Sequence, residues 1–218
     1  MKNNKDKNIK KYGIICLDLD ETLFHTKNHR IFFRPKLISF LQYIHKYFYL
    51  VVFTAATKEY ADSILSKIKW DNDDGEEISA KKIFTLKLYR SCVSSEGKDL
   101  KIVLKRLLDQ RIKKLNDIPK TFLYKKVKNK TVLNLENIII IDNLVHNFLD
   151  SQFFNGIPVK DFYKNKKDNH LLIIKEFIKG YLKEIKKKKA NNSLKVYLYN
   201  NLYKINNSLK IEYHKPQC

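Results

Sequence analysis

Apolar residues along this chain fall into two patterns, short unbroken runs and stripes spaced three and four positions apart. The runs lie within about 12–19, at Tyr49–Phe53 and at Ile138–Ile141, with a possible shorter strand at Gly156–Val159, and a short strand is expected at 83–89, where Thr85 and Lys87 interrupt the apolar residues. Each has the length of a strand buried on both faces. The stripes predict helices. Leu37, Phe40, Leu41, Ile44 and Phe48 follow Pro35, a residue suited to a first helical position. Ala61, Ile64, Leu65 and Ile68 mark a second helix from about Lys58, and Asp99–Leu108 a third. Leu171, Ile174, Ile178, Tyr181 and Ile185 mark a long amphipathic one. Leu194, Leu198, Leu202, Ile205 and Leu209 suggest another, although alternation at 194, 196 and 198 leaves a strand open there. Between these elements, a loop is expected through Lys27 and His29 and a short extended piece at Arg30–Arg34. A polar stretch from Trp70 to Lys82 turns at Asp73-Asp74-Gly75.

Strands alternating with helices predict an α/β fold with a parallel sheet covered on both faces. Ligands of such sheets bind at the carboxyl ends of the strands. Polar residues close three of the runs, namely Asp18 and Asp20, Thr54, and Asp142 with Asn143. Strand side chains alternate, so Asp18 and Asp20 start toward the same side. A bare Asp-x-Asp also ends ordinary strands on polar turns. Two carboxylates held close in a crevice, however, call for a cation between them or a proton on one. Phosphoryl transfer to an aspartate uses each part of this set. Asp18 would attack phosphorus, and Asp20 would protonate the leaving alkoxide and then deprotonate the hydrolytic water. Mg²⁺ would take oxygens from Asp18, from the Asp20 backbone and from the third strand. Thr54 would donate to a phosphoryl oxygen, and a lysine would neutralise the added charge.

Composition narrows the partners. The chain has 218 residues, 44% of them hydrophobic, with few Gly and Pro, which suits one domain with decorations. The net charge of +21 invites a nucleic-acid reading. Yet Arg30, Arg34, Arg90, Arg106 and Arg111 are the only arginines. Bidentate phosphate recognition favours Arg, so the spread of Lys reads as compositional bias, and nucleic acid is a secondary expectation. Three cysteines (Cys16, Cys92, Cys218) form no disulfide or metal-ligand framework, which points to a reducing compartment. Nothing approaches the roughly 20 apolar residues of a membrane span, so an intracellular, membrane-free monomer is expected. Cys92 lacks the arginine six positions on that a cysteine phosphatase needs, and position 98 is Lys. His25 and His29 flank a non-helical segment, and His146 lies close to the third strand end.

The segments DLDETLFHT, RPKLISFLQYI, VVFTAATKEYADSIL, LYRSCVSSEGKDL, NIIIIDN and GIPVKDFY, in that order, resemble the small C-terminal-domain phosphatases. These are also called NLI-interacting-factor-like phosphatases, within the haloacid dehalogenase superfamily. The resemblance implies a haloacid-dehalogenase-like central parallel sheet flanked by helices, with a small insertion and helical C-terminal additions. It also implies a Mg²⁺-dependent phosphatase of phosphoserine or phosphothreonine in proteins, often the RNA polymerase II tail, and a nuclear or cytoplasmic setting. On this basis Asp18 is the nucleophile, Asp20 the acid and base, Thr54 the second-motif hydroxyl and Lys98 the phosphate-neutralising lysine. Asn143 is the side-chain Mg²⁺ ligand, joining Asp18 and Asp20 as the metal set, and Asp142 orients Lys98 or a metal-bound water. Thr22 and Arg90 are expected at the substrate. The expected organisation is a basic tail at 1–11, a phosphatase domain at 12–187 and a helical extension at 188–218. Two relatives in chemistry or fold stand as alternatives: a phosphatase of nucleic-acid ends, and a non-catalytic binding module, against which the costly carboxylate pair argues.

Departures from the family pattern are local. One residue separates Arg90 from Cys92 where members show two, and the loop Val93–Gly97 is short. No room is expected after the third motif for the phosphopeptide-binding repeat of the larger polymerase-tail phosphatases. An insertion at about 109–136 carries Arg111, Lys113, Lys114, Lys120, Lys125, Lys126, Lys128 and Lys130 against Asp117. It is either a solvated surface loop or a docking surface for an acidic, phosphorylated or nucleic-acid partner.

Overall fold

Four apolar residues, Ile14–Leu17, form strand β1 at the middle of a five-stranded parallel sheet. The computed structural model describes residues 10–72, 75–109, 118–128, 130–187 and 193–211. A hairpin follows β1, made of β2 (Phe24–Lys27) and β3 (Arg30–Phe33), then α1 (Leu37–Tyr47), β4 (Tyr49–Phe53) and α2 (Lys58–Lys67). A second hairpin, β5 (Lys69–Asp71) with β6 (Glu77–Ser79), leads through α3 (Ala80–Ile83) to β7 (Phe84–Leu88). After α4 (Leu100–Asp109) come α5 (Lys120–Leu123) and the hairpin β8 (Tyr124–Val127) with β9 (Lys130–Leu133). The chain closes with β10 (Ile138–Asp142), β11 (Gly156–Pro158), α6 (His170–Lys186) and α7 (Leu194–Leu209).

The main sheet runs β11-β10-β1-β4-β7, every pair parallel. In register, Leu17 lies between Ile141 and Val52, so β10, β1 and β4 end side by side. Alternation divides the core by residue parity. Ile15, Leu17, Val52, Ile139 and Ile141 pack on α1, α2, α6 and α7. Ile14, Cys16, Val51, Phe53, Ile138 and Ile140 pack on α4, with Leu123 of α5. This is the central parallel sheet with helices on both faces that the resemblance implied.

The differences from expectation are in the polar parts. Residues 24–33 form a hairpin rather than a loop and a lone extended piece, because Asn28 and His29 both take positive φ (49° and 59°) and make its turn. The segment expected as a polar turn pairs Lys69 with Ser79 and Asp71 with Glu77. Asp73 and Asp74 lie outside the described residues. Pro35 sits in a turn rather than at the first helical position, because Lys36 is left-handed (φ 65°) and α1 starts at Leu37. Phe48 ends that helix in extended backbone, still fully buried. At 194–209 the helix wins over the strand. Ser193 caps it, accepting from the Val196 amide, and Leu194, Leu198, Ile205 and Leu209 enter the main core.

The insertion is partly described. Ile118 and Leu123 anchor it in the core beside α4, while Lys125 and Lys126 stand exposed on β8. Arg111, Lys113, Lys114 and Asp117 lie outside the described residues, as do residues 1–9 of the expected tail and Cys218.

Candidate active site

The strand order gathers the polar strand ends at one edge of the sheet. Asp18 follows β1 and its amide still donates to Ile141 O (3.0 Å), so the ladder continues to the residue itself. Thr54 follows β4, with its amide on Leu88 O at 3.0 Å. Asp142 is the last residue of β10. These three therefore stand at the ends of three adjacent strands. Glu21, left-handed at φ 54°, reverses the chain after Asp20 and returns Thr22 beneath Asp18.

Lys98 reaches this row from outside the sheet. Its amide donates to Asn147 O at 2.9 Å. Gly97 makes that approach feasible: its φ is +118°, and a Cβ there would meet Asn147 O at 2.7 Å. The Lys98 ammonium donates to Asp18 Oδ1 at 2.5 Å and to Asp142 Oδ2 at 2.6 Å. All three side chains are buried. One ammonium between two carboxylates leaves an excess negative charge out of water. Burial first, and then the Asp142 charge, push the Asp18 carboxyl above its ordinary range, with Lys98 opposing. Burial works to lower the Lys98 pKa, but the two carboxylates overcome it and the net direction is upward.

Asp142 is held from two further sides. The Leu144 amide donates to its Oδ1 at 2.8 Å, and Asn147 Nδ2 donates to both oxygens at 3.1 and 3.0 Å. Asn143 is oriented as firmly. Its Nδ2 donates to Asp161 Oδ1 at 2.8 Å, which turns its Oδ1 toward Thr22 Oγ1, 2.9 Å away. Thr22 lies 2.8 Å from Asp18 Oδ2 and accepts the Asn143 amide at 3.1 Å. Thr22, expected at the substrate, is thus fully buried and ties the first motif to the third. Asp20 faces the cleft, accepting the Tyr60 hydroxyl at 2.7 Å. Burial raises the Asp20 pKa, and the Tyr60 bond works against that rise.

Above this row lies a cleft of about 660 Å³, lined among others by Asp18, Asp20, Thr54, Arg90, Lys98 and Asn143. Thr54 Oγ1 accepts the Ala56 amide at 3.1 Å. Arg90 is exposed, and its Nε is fixed on Ala55 O at 2.8 Å. His146 also lines the cleft. No group of three or more His, Cys, Asp and Glu suited to a metal occurs among the described residues. A metal here would depend on the Asp18 carboxylate, the Asn143 amide oxygen, the Asp20 carbonyl and water. That set is entirely hard oxygen and carries little charge, which fits Mg²⁺ with part of its water shell retained.

Several residues of this site escaped the sequence reading. Tyr60 lies one turn into α2 and also meets Thr26 Oγ1 at 2.9 Å. Asn147 and Asp161 act on Asp142 and Asn143 only through the folded chain. Arg34 is the largest fully buried side chain among the described residues, and its fork grips Asp168 at 2.9 and 3.0 Å. The same guanidinium donates to the carbonyls of Thr22 (2.7 Å) and Lys160 (2.5 Å), joining the loop after Asp20 to the segment that carries Asp161. The one available signal was an arginine, rare in this chain, placed directly before Pro35.

A family model described as NLI interacting factor-like phosphatase matches residues 13–190. Among curated proteins, CTD small phosphatase-like protein 2 of Dictyostelium discoideum is 26% identical over 189 residues, covering 76% of this chain and 27% of that protein. This chain therefore spans about a quarter of that relative's length. Among solved structures, the fission yeast RNA polymerase II CTD phosphatase Fcp1 bound to beryllium fluoride is 16% identical, with a TM-score of 0.46, over 95% of this chain and 59% of that one. A putative β-phosphoglucomutase from Thermotoga maritima is 12% identical, with a TM-score of 0.45, over 79% and 99% of the two chains.

Proposed function

The chain belongs to the NLI interacting factor-like phosphatase family, and on that premise we propose that it is a Mg²⁺-dependent phosphatase of phosphoserine or phosphothreonine in proteins. The observation that carries this reading is the buried contact of Lys98 with both Asp18 and Asp142 beneath an open cleft. A nucleophile must present one oxygen in a fixed direction, and Asp18 is held through Oδ1 by Lys98 and through Oδ2 by Thr22.

In the first step an Asp18 oxygen bonds to phosphorus while the bond from phosphorus to the substrate hydroxyl oxygen breaks. Asp20 gives its proton to that departing oxygen. In the second step Asp20 takes a proton from water, the water oxygen bonds to phosphorus, and the Asp18–phosphorus bond breaks. Inorganic phosphate leaves and both carboxyl groups return to their starting states. Lys98 balances charge beside Asp18, with Asp142 and Asn147 holding its ammonium in place. Thr54 and Arg90 meet the phosphoryl oxygens at the cleft wall. Mg²⁺ held by Asp18, Asn143 and the Asp20 carbonyl would supply positive charge to the transferring group.

A polypeptide substrate suits the open cleft, and by family analogy the reading extends to a polymerase-tail substrate and a nuclear setting. The test is a phosphopeptide panel with Mg²⁺ or EDTA, run beside 3′-phosphorylated oligonucleotides. Mg²⁺-dependent phosphate release from peptides is expected. Release only from oligonucleotides, or release that survives chelation, would overturn the reading.

A further inference from the structure

Next to the catalytic cleft lies a second groove of about 610 Å³, lined by Glu96, Val145, His146, Phe148, Leu149 and Asp150. His146 lines both, so the two hollows adjoin at that side chain. The groove is built on the turn Val145–Asn147, which is the turn that fixes the catalytic pair. Asn147 N donates to Leu144 O at 3.0 Å, Phe148 N donates to Val145 O at 2.9 Å, and Asn147 itself holds Asp142 and the Lys98 backbone. Its floor is firm, because the Phe148 ring occupies the space in front of Gly156, where any Cβ would meet it at 2.5 Å. The rim is different in kind. Glu96 and Asp150 are exposed and stand in no ion pair among the described residues, in a chain whose net charge is +21.

We propose that this groove is a specificity subsite that takes a Lys or Arg side chain of the substrate polypeptide, a few residues from its phosphoserine or phosphothreonine. The proposal rests on the polypeptide-phosphatase reading above and extends it. An apolar floor with acids at the rim suits a side chain that has an aliphatic stem and a cationic head. The stem lies on Val145, Phe148 and Leu149, and the head reaches Glu96 and Asp150. An acidic side chain gains nothing on that floor and meets two like charges at the rim. Because the groove adjoins the cleft at His146, an extended chain whose phosphate sits over Asp18 can lay a neighbouring side chain in it.

The experiment uses the full chain and a set of phosphopeptides with Lys, Ala or Glu placed in turn at each flanking position. Two exposed carboxylates predict a KM roughly 3- to 30-fold lower for Lys than for Glu at the favoured position, with kcat little changed. In the Glu96→Gln/Asp150→Asn variant that preference should vanish, and in Glu96→Lys/Asp150→Lys it should reverse. Turnover of p-nitrophenyl phosphate should stay at the parent level in both variants, since the small ester occupies only the cleft. Absence of a Lys preference at every position, or a preference that survives the charge reversal, would overturn the subsite while leaving the phosphatase reading intact. Turnover of small esters or oligonucleotide ends but of no phosphopeptide would instead remove the polypeptide reading, and the proposed occupant with it.

Discussion

Replacing Lys98 by Met keeps most of the side-chain length and removes the one ammonium shared by Asp18 and Asp142. The ammonium lies 2.5 and 2.6 Å from their oxygens, so those oxygens are no more than about 5 Å apart. Two unit charges at about 5 Å repel by roughly 3 kcal/mol at an effective dielectric of about 20. Breaking a buried pair by deleting one partner costs about 3–5 kcal/mol in general, which agrees. For a domain of this size each kcal/mol moves the melting temperature by about 2–4 °C, so a fall on the order of 6–20 °C is expected. Protonation of one carboxyl limits the loss. A carboxyl with a raised native pKa binds more protons in the native than in the unfolded chain above about pH 4, so stability falls as pH rises. The deficit of Lys98→Met in metal-free buffer should therefore be larger at pH 8 than at pH 5. Adding Asp142→Asn removes the repulsion and should restore much of the melting temperature, yet phosphatase turnover should remain lost. Thermal melts of the two variants and the parent at both pH values decide the matter. Parental melting of Lys98→Met, or a double variant no more stable than the single one, would refute the electrostatic account. Parental turnover by either would refute the catalytic one.

Asp18→Asn should abolish turnover without lowering the melting temperature, because burial already disfavours the Asp18 charge; retained turnover would end the covalent scheme. Asp20→Asn should slow phosphopeptide hydrolysis by about 10²–10⁴-fold and p-nitrophenyl phosphate hydrolysis far less, since that leaving group needs little protonation. Burial, with the Lys11 charge adding to it, lowers the His45 pKa to about 4. The native state then binds fewer protons than the unfolded chain between about pH 4 and 6.5, so this stability is lost as pH falls through that window, and His45→Gln should flatten the loss in acid melts. Neutralising Lys113, Lys114, Lys125 and Lys126 together should raise KM for a protein substrate in a salt-sensitive way and leave p-nitrophenyl phosphate unaffected. No change in either would mark the insertion as solvated surface.

The sheet was legible because all its strands but the edge strand β7 are buried on both faces, and a run such as Ile138–Ile141 has few other ways to hide. The three hairpins were not. Their strands are at most partly buried, and β8 and β9 are nearly all exposed, so no apolar pattern marks those two. The turn of β2 and β3 uses Asn28 and His29 rather than a glycine, which removes the usual sign. The start of α1 was misread for a related reason, since only the left-handed Lys36 separates Pro35 from the helix. At the site, Asp18, Thr54, Asp142 and Asn143 could be found from the residues, because strand ends in a parallel sheet are the places where ligands sit. Lys98 could be assigned only through the resemblance. It lies 80 positions from Asp18, and its placement depends on Gly97 and on the Asn147 carbonyl. Tyr60, Asp161 and Arg34 each act through a hydrogen bond between segments well apart in the chain, and Asn147 reaches Asp142 through the irregular turn that follows β10, none of which a periodic pattern encodes.

The net charge of +21 and the charges of the cleft pull in different directions, and the difference bears on mechanism. Outside the cleft the summed Lys charge would attract an anionic partner, though only within about 8–10 Å of the surface at physiological salt. Inside the cleft the balance is reversed. Asp18, Asp20 and Glu21 line it with Asp142 beneath, against Lys98 and Arg90, and Lys98 is already engaged by two carboxylates. A phosphate dianion entering that space would add negative charge to a site that is already in excess. Long-range attraction cannot offset this, because desolvated charges at contact distance interact far more strongly than screened ones. On the proposed reaction a further positive charge beside Asp18 would offset that excess. Asn143, with its amide nitrogen taken by Asp161, offers a neutral oxygen at that place. These electrostatics support the divalent cation proposed above as the partner that would make phosphate binding favourable.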